Sequence, residues 1–282
     1  MGNLSDYIEI IRPINSVMVG VAILVGAIIT GGLRVLDNEL VLLYSFVTGF
    51  TLTGASMAVN DYYDRVIDAV NEPHRPIPSG RVSPKNALLL TVILSIFGLA
   101  TSLLVSFAAF GIAFVAWSLM MIYSMWGKKT GFFGNLMVSI CISLPFLYGG
   151  LLSGRVSTSV SFSLLALLSN AGREITKGIV DVQGDEASGI NTIAVVYGAN
   201  RAAGVASFFF LAAVFASGVP VYLNLVSLWY VPFVLITDLG LIISAYQIIQ
   251  DPSRDNSRRI KNRVLYLMMI GLIGFTAGSL II

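Results

Sequence analysis

The sequence is short of charge, cysteine and histidine. Only 11% of its 282 residues are charged, whereas 56% are hydrophobic; soluble domains carry about a quarter charged residues. A large water-exposed surface is therefore excluded, and lipid is the expected solvent. The single cysteine, Cys141, excludes an intramolecular disulfide. With His74 as the sole histidine, a zinc site is disfavoured, because such sites usually need several Cys or His ligands.

Long apolar runs make up most of the chain. A helix that crosses a bilayer needs roughly 20 mostly apolar residues, and these runs lack the alternation of a membrane β-barrel. The predicted fold class is all-α: a polytopic membrane protein with about nine transmembrane helices around a central cavity. Residues 1–282 are expected to form a single transmembrane domain, in which the third and fourth helices make a tight hairpin. The predicted spans are 14–33, 40–60, 86–106, 110–126, 133–153, 159–180, 202–222, 228–249 and 264–282.

Positive charge is divided unequally between the two sides of these spans. With the N-terminus inside, all of the 17 Lys and Arg residues except Arg34 and Arg155 fall on the inner side. Cytoplasmic loops of membrane proteins carry such an excess. The sequence therefore predicts an N-in, C-out protein of the cell membrane, with its site toward the cytoplasmic face.

Acidic residues concentrate in two inner segments, one after the second span and one after the sixth. If the first segment continues its helix, a stripe at i, i+4 and i+8 contains Asn60, Asp64 and Asp68. Asp61 then lies about 100° round the helix. Steps of i+3 and i+4 place a second set on one face: Glu174, Lys177, Asp181 and Asp185. Because the two segments lie four helices apart, they also hint at an internal four-helix repeat.

Carboxylates on one stripe repel each other unless a cation lies between them. Oxygen ligands without His or Cys select Mg²⁺ or Ca²⁺ over zinc, and the ligand spacing of a calcium EF-hand is absent. Mg²⁺ held by a few carboxylates completes its shell with water and substrate phosphate. Nearby cations such as Arg75 and Lys177 suit the same anion. The pattern predicts Mg²⁺ against a diphosphate; the alternative is a solvated loop whose charges mark only topology.

The two segments resemble the two signatures of the UbiA superfamily of intramembrane prenyltransferases. The first signature is similar to Asn60-Asp61-x-x-Asp64-x-x-x-Asp68, followed by Arg75-Pro76 and Gly80. The second is similar to Asp181-x-x-x-Asp185, followed by Gly189, Thr192 and Gly198. The resemblance covers essentially the whole chain, including the number of helices and the position of both motifs.

Three finer features resemble the archaeal, ether-lipid branch of this superfamily. They are Arg12-Pro13-x-Asn15, Tyr123-Ser124-x-x-x-Lys128-Lys129 with Gly134-Asn135, and Arg173-Glu174-Ile175-x-Lys177. Members of that branch move a geranylgeranyl group from its diphosphate to the free hydroxyl of geranylgeranylglyceryl phosphate, which forms the second ether of archaeal phospholipids. One departure is that members often carry acids where this chain has Gly178 and Val180.

The resemblance implies a Mg²⁺-dependent transferase of lipid biosynthesis, with two lipid substrates, membrane lipid around it, and neither nucleic acid nor an obligate protein partner. The implied metal ligands are Asn60, Asp64, Asp68, Asp181 and Asp185, with Asp61 close by. The implied catalytic residues are Asp64, Asp68, Asp181, Asp185, Tyr123 and Lys177. The implied substrate-binding residues are Arg12, Asn15, Arg65, Arg75, Tyr123, Lys128, Glu174 and Lys177.

Several alternatives stay open at this point. Tyr123 is expected either to stabilise an allylic cation through its π face or to anchor a helix end at the membrane interface. An aromatic prenyltransferase of the same superfamily, acting on 4-hydroxybenzoate or a quinone precursor, is the second enzyme hypothesis. A membrane transporter is the third hypothesis, and Asp238 within the eighth span supports it. No histidine is placed to act as a general base.

Overall fold

The structure is a computed structural model that describes residues 2–280, so the last two residues of the final predicted span lie outside it. Within the described range there is no strand, and nine helices have 19 residues or more. These are α2 (Pro13–Gly31), α3 (Glu39–Asn71), α4 (Pro84–Val105), α5 (Phe107–Met125), α6 (Phe132–Ser153), α7 (Val156–Val180), α10 (Ala199–Ser217), α12 (Tyr230–Gln250) and α13 (Arg254–Leu280). The shorter helices are α1 (Leu4–Ile11), α8 (Val182–Ala187), α9 (Ile193–Tyr197) and α11 (Val219–Tyr222).

The long helices make the chain a multi-pass membrane protein, and the predicted fold class is confirmed. Among residues 2–280, eight helices are long and apolar enough to cross a bilayer, and α7 is the long helix outside that set. The reason lies in its composition, because α7 combines many hydroxyl side chains with Arg173, Glu174 and Lys177. The count of nine spans and the N-in, C-out orientation stay predictions.

Local signals in the sequence explain where several helices begin. The Ser83 side chain accepts a hydrogen bond from the Asn86 N–H, and Pro84 takes the first position of α4. Only Ser106 separates α4 from α5, and its side chain accepts from the Ala109 N–H. The predicted tight hairpin is therefore confirmed.

Small residues let the central helices approach closely. Helix α2 packs against α3 and α6, and α7 packs against α6, α10 and α13. At the crossing of α2 and α6, a Cβ added to Gly26 would lie 2.9 Å from the Phe146 Cα, and one added to Gly149 would overlap the α2 backbone. Close backbone approach at glycine is how helices associate where lipid provides no hydrophobic drive.

The two acidic segments differ in local structure. Helix α3 continues through the first one to Asn71, which confirms the expected stripe. The second segment is divided between two helices, because α7 ends at Val180 and Asp181 (φ −100°, ψ 10°) joins it to α8. Gly184, a poor helix former, lies in the segment that follows. The four side chains expected on one face, Glu174, Lys177, Asp181 and Asp185, nevertheless line one pocket. Helix α13 also begins earlier than predicted, at Arg254 rather than near residue 264.

Candidate active site

Both acidic segments face one water-accessible space at the same end of the helices. This polar cavity has a volume of about 790 Å³ and is lined by α3, α8, the loop after α3 and the turn between α5 and α6. Its oxygen-bearing members from the two motifs are Asn60, Asp64, Asp68, Asp181 and Asp185. Its cationic members are Arg12, Arg75, Lys128 and Lys129. The structure thus brings together most of the residues implied for metal and phosphate binding.

Basic side chains hold the carboxylates of the first motif. The Lys128 Nζ lies 2.7 Å from the Asp64 Oδ2, and the Asn60 amide donates to the same oxygen at 3.0 Å. Arg75 donates through Nη1 to the Asp68 Oδ2 at 2.7 Å. These pairs compensate charge that a stripe of carboxylates would otherwise leave unscreened.

Two of the residues of α3 implied for the site, Asp61 and Arg65, do not line this cavity. Asp61 is only 3% exposed, and its Oδ1 lies 2.6 Å from Arg12 Nη2 and 3.7 Å from Arg75 Nη1. Asp61 therefore lies outside the cavity wall and holds two of the cations that line the cavity, Arg12 and Arg75. Arg65 donates to the Tyr62 carbonyl at 2.6 Å and stacks on the Tyr62 ring at 4.5 Å, so its guanidinium is engaged on the flank of α3.

The N-terminal helix is fastened to the loop that carries Arg75. Arg81 donates to Asp6 Oδ1 at 2.6 Å, to Glu9 Oε2 at 2.9 Å and to the His74 carbonyl at 2.6 Å. Since α1 ends next to Arg12 and the loop contains Arg75, these contacts place both guanidinium groups beside Asp61.

The second motif carries uncompensated charge. Among the described residues, no ion pair or side-chain hydrogen bond involves the carboxylate of Asp181 or Asp185. Burial raises the pKa of the Asp185 carboxyl above its usual value and the neighbouring Asp181 raises it further, while Lys177 and Lys128 lower it. This is the environment of a carboxylate that gains from binding a cation.

The donor set of the polar cavity fits a hard divalent cation. Amide and carboxylate oxygens from α3 and from the segment Asp181–Asp185 face one space, and no histidine or cysteine is among the described residues that line it. In residues 2–280, however, no three His, Cys, Asp or Glu side chains are already close enough together to hold a metal ion. Instead, Asp64 is paired with Lys128 and Asp68 with Arg75. A cation would have to displace these partners, which could then bind a phosphate.

We expect a Lys128→Met variant to bind Mn²⁺, a spectroscopic substitute for Mg²⁺, more tightly than wild type in the absence of substrate. The ammonium competes with the metal for Asp64, and a partly exposed pair of this kind is worth roughly 1 kcal/mol, or about fivefold in affinity. Electron paramagnetic resonance titration of the purified protein measures the change. Lys85→Met, which replaces an exposed lysine of α4, is the matched control. Equal Mn²⁺ affinities in wild type and both variants would contradict competition between Lys128 and the metal.

A smaller pocket of about 110 Å³ adjoins the polar cavity. The two spaces share Lys128, Asp181 and Asp185, and the smaller one, here called the side pocket, adds Tyr123, Glu174 and Lys177. The Glu174 side chain is buried, whereas that of Lys177 is half exposed, with its Nζ 3.7 Å from the Glu174 Oε2.

Beyond Tyr123 lies an apolar chamber of about 530 Å³ between α2, α3, α5, α6, α7 and α13. Tyr123 lines both the side pocket and the chamber, so its ring stands at the junction between polar and apolar space. Asn15 also lines the chamber. Its methionines are Met18, Met57, Met120, Met137 and Met268. Methionine fills irregular, adaptable apolar surfaces, which suits a flexible hydrocarbon chain.

Asp238 lies in a separate branch of this chamber. The branch has a volume of about 290 Å³ and shares Met18, Ile142, Phe146, Leu265 and Met268 with the chamber. Ser217 donates to the Asp238 Oδ2 at 2.7 Å, and no cation pairs with Asp238 in the described part of the chain. The carboxylate is therefore in apolar surroundings, away from both acidic motifs.

The structure adds residues to the site that the sequence did not single out. Asn170 is only 2% exposed, donates to the Ser139 Oγ at 3.1 Å and lines the chamber. The five methionines come from α2, α3, α5, α6 and α13. Because they lie on different helices, no spacing along the chain identifies them. An asparagine in the middle of an otherwise apolar span is a signal that was available for Asn170.

Comparison with known proteins gives a consistent result along the chain. Residues 18–271 match the model of the UbiA prenyltransferase family. A digeranylgeranylglyceryl phosphate synthase from Methanothermobacter thermautotrophicus is 34% identical over 281 residues, which cover 98% of this chain and 96% of the relative.

Solved structures agree at the level of the fold. A structure of digeranylgeranylglyceryl phosphate synthase in membranes superposes with a TM-score of 0.91 at 28% identity, covering 99% of both chains. A UbiA homologue from Archaeoglobus fulgidus, bound to GPP and Mg²⁺, superposes with a TM-score of 0.63 at 16% identity, covering 96% of this chain and 99% of that one.

Proposed function

Because the chain belongs to the UbiA prenyltransferase family, we propose that it transfers the prenyl group of geranylgeranyl diphosphate to the free hydroxyl of geranylgeranylglyceryl phosphate. The reaction forms the second ether bond of archaeal membrane lipids and releases diphosphate. One observation carries the proposal: a polar cavity with both acidic motifs leads through Tyr123 into an apolar chamber. A prenyl diphosphate is amphipathic, and its charged and apolar ends match the polar cavity and the apolar chamber.

The diphosphate is assigned to the polar cavity. Mg²⁺ is the proposed cofactor, with Asn60, Asp64, Asp68, Asp181 and Asp185 as its ligands. When bound, the metal supplies Lewis-acid stabilisation of the leaving diphosphate. Lys128 and Arg75 lie 2.7 Å from Asp64 and Asp68, and they are therefore within reach of an anion held at those carboxylates. Their charge opposes the negative charge that develops as the bond to C1 breaks.

The prenyl chain is assigned to the apolar chamber. An allylic cation is captured by any water near it, so the reacting carbon requires a dry surrounding. Tyr123 stands where C1 would lie between the two spaces. Its π face is proposed to stabilise the cation there, in preference to a role as an interfacial anchor.

The acceptor phosphate is assigned to the cations that border the side pocket and the polar cavity. Lys177 lines the side pocket with a half-exposed side chain, and Arg12 and Lys129 line the polar cavity. A phosphate dianion gains charge-assisted hydrogen bonds from such groups. Asn15 lines the chamber and is proposed to contact the glyceryl region of the acceptor.

We place this enzyme in the cell membrane with the polar cavity toward the cytoplasm, because the Lys and Arg residues concentrate at that end of the predicted spans. The whole chain is proposed to act as one transmembrane domain, since helices of both halves line a single cavity. The four-helix offset between the motifs supports an internal repeat.

The test is product analysis with purified protein, radiolabelled geranylgeranyl diphosphate and two acceptors offered separately. We expect Mg²⁺-dependent formation of the diether phosphate from geranylgeranylglyceryl phosphate, none from 4-hydroxybenzoate, and loss of activity in EDTA that added Mg²⁺ restores. Conversion of the aromatic acid alone would assign the chain to the other prenyltransferase class. Transport of substrate without diphosphate release would show that the protein is a transporter and not an enzyme.

A further inference from the structure

Two adjacent residues of α7 bridge the junction between polar and apolar space. Glu174 lines the side pocket together with Tyr123 and Lys177, whereas Arg173 lines the apolar chamber together with Tyr123. Both therefore border a space that the Tyr123 ring also borders, where the reacting carbon is proposed to lie. In the proposed reaction an acceptor hydroxyl must approach that carbon and lose its proton at this junction.

The Glu174 carboxylate is buried and incompletely hydrogen-bonded. It is 8% exposed, accepts from Arg173 Nη1 at 2.9 Å through Oε1, and has Lys177 Nζ 3.7 Å from Oε2. Two cationic side chains therefore lie beside it. A carboxylate has about four lone-pair sites, and one hydrogen bond leaves room for a hydroxyl donor. The Arg173 Nε is itself buried without a partner.

The other carboxylates around these spaces have different surroundings. Four of them form the proposed metal set: Asp64, Asp68, Asp181 and Asp185. Glu72 is in the polar cavity, on the loop side of α3, with a side chain that is 43% exposed and 3.5 Å from His74. Asp238 belongs to the separate apolar branch and accepts from Ser217. Among the described residues that line the junction, Glu174 is therefore the carboxylate left for proton transfer.

We propose, on the basis of the function proposed above, that the Glu174 carboxylate accepts the proton of the acceptor hydroxyl, with Arg173 holding it in place. The bond between donor C1 and its diphosphate oxygen breaks, and its electron pair leaves with the diphosphate. A lone pair of the acceptor oxygen forms the new C–O bond at C1. The hydroxyl proton moves to Glu174 and passes to water when the product leaves.

An ion-paired carboxylate is basic enough for this step. Attack of a neutral hydroxyl on an allylic cation produces a protonated ether, which is a far stronger acid than any carboxylic acid. The proton acceptor must therefore lie close to the hydroxyl and be shielded from water, but it need not be strongly basic. The competing explanation is that Glu174 only neutralises the charge of Arg173 within the helix bundle.

The deciding experiment compares Glu174→Gln with wild type and with Glu186→Gln. Glu186 is an exposed acid of α8 next to the second motif, so its variant removes the same charge from the same region. Radiolabelled donor gives the rate of ether formation and, separately, of diphosphate release. For Glu174→Gln we expect kcat for ether formation to fall about 100-fold, with unchanged KM values, unchanged Mn²⁺ affinity and more diphosphate released than ether formed. Glu186→Gln should match wild type.

The excess of diphosphate is the readout that a structural role would not produce, because donor ionisation continues while capture by the hydroxyl fails. Ether formation above a third of the wild-type rate in Glu174→Gln would overturn the proposal, as would a parallel loss of Mn²⁺ binding. If that variant does not fold because Arg173 is left unpaired, the double variant Arg173→Met/Glu174→Gln removes the whole ion pair and takes the same two readouts. Wild-type protein that makes no diether phosphate would instead refute the proposed function.

Discussion

Asp64→Ala and Asp181→Ala variants are expected to turn over at least about 1,000-fold more slowly than wild type. Each loses a proposed metal ligand from one side of the polar cavity. Lewis-acid stabilisation of the leaving diphosphate is worth several kcal/mol, at about 1.36 kcal/mol for each factor of ten. Single-turnover measurement of diphosphate release with saturating substrates tests this, and Asp255→Ala, an exposed acid of α13, is the control.

The two variants should differ in thermal stability. Measuring their melting temperatures distinguishes a loss of catalysis from a loss of folding. Asp64 is paired with Lys128 at 2.7 Å, whereas no cation pairs with Asp181 among residues 2–280. We therefore expect Asp181→Ala to melt at the wild-type temperature while being inactive. Activity above a tenth of wild type in either variant, with the protein folded, would show that its carboxylate is not a metal ligand.

Geranylgeranylglycerol, the acceptor without its phosphate, is expected to react with a kcat/KM about 1,000-fold below that of the phosphorylated acceptor. Each charge-assisted hydrogen bond to the phosphate contributes roughly 1.5–3 kcal/mol, so two such bonds reach this ratio at 1.4 kcal/mol per factor of ten. Lys177 in the side pocket is assigned one of these bonds.

A Lys177→Met variant tests that assignment directly. It should lower kcat/KM for the phosphorylated acceptor about 30-fold, roughly one charge-assisted hydrogen bond, and leave the value for geranylgeranylglycerol nearly unchanged. The ratio of kcat/KM between the phosphorylated and the unphosphorylated acceptor would then fall by the same factor. Equal losses with both acceptors would mean that Lys177 acts through Glu174, 3.7 Å away, rather than on the phosphate.

Periodicity and composition carried the parts of the fold that depend on neighbours along the chain. Continuous hydrophobicity predicted the membrane helices, and the spacing of Asn60, Asp64 and Asp68 predicted a stripe that α3 forms. The same spacing predicted the shared face of Glu174, Lys177, Asp181 and Asp185, which line one pocket, but not the change from α7 to α8 at Asp181. A one-residue break between two helical segments leaves almost no trace in a pattern of i+3 and i+4 steps.

Side-chain direction was much less predictable than helix position. Arg65 carries the right charge at the right place in the sequence, yet it folds back onto the Tyr62 carbonyl and ring. Asp61 was expected near the metal ligands and lies behind the cavity wall against Arg12. Both outcomes depend on contacts with groups that the helical spacing does not specify.

The sequence by itself determined a membrane protein, through the scarcity of charge along its apolar runs. Its oxygen-only acidic stripes, with cations mixed among them, predicted a metal–diphosphate site. The tertiary structure alone decided that both motifs line one cavity and that Glu174 lines one pocket with Tyr123. It also decided that Lys128 and Arg75 hold the first motif, whereas within residues 2–280 no ion pair holds the carboxylates of the second. The reason is physical. Local spacing sets which side chains share one helix face, whereas the charges that meet across a cavity are set by the packing of helices from distant parts of the chain.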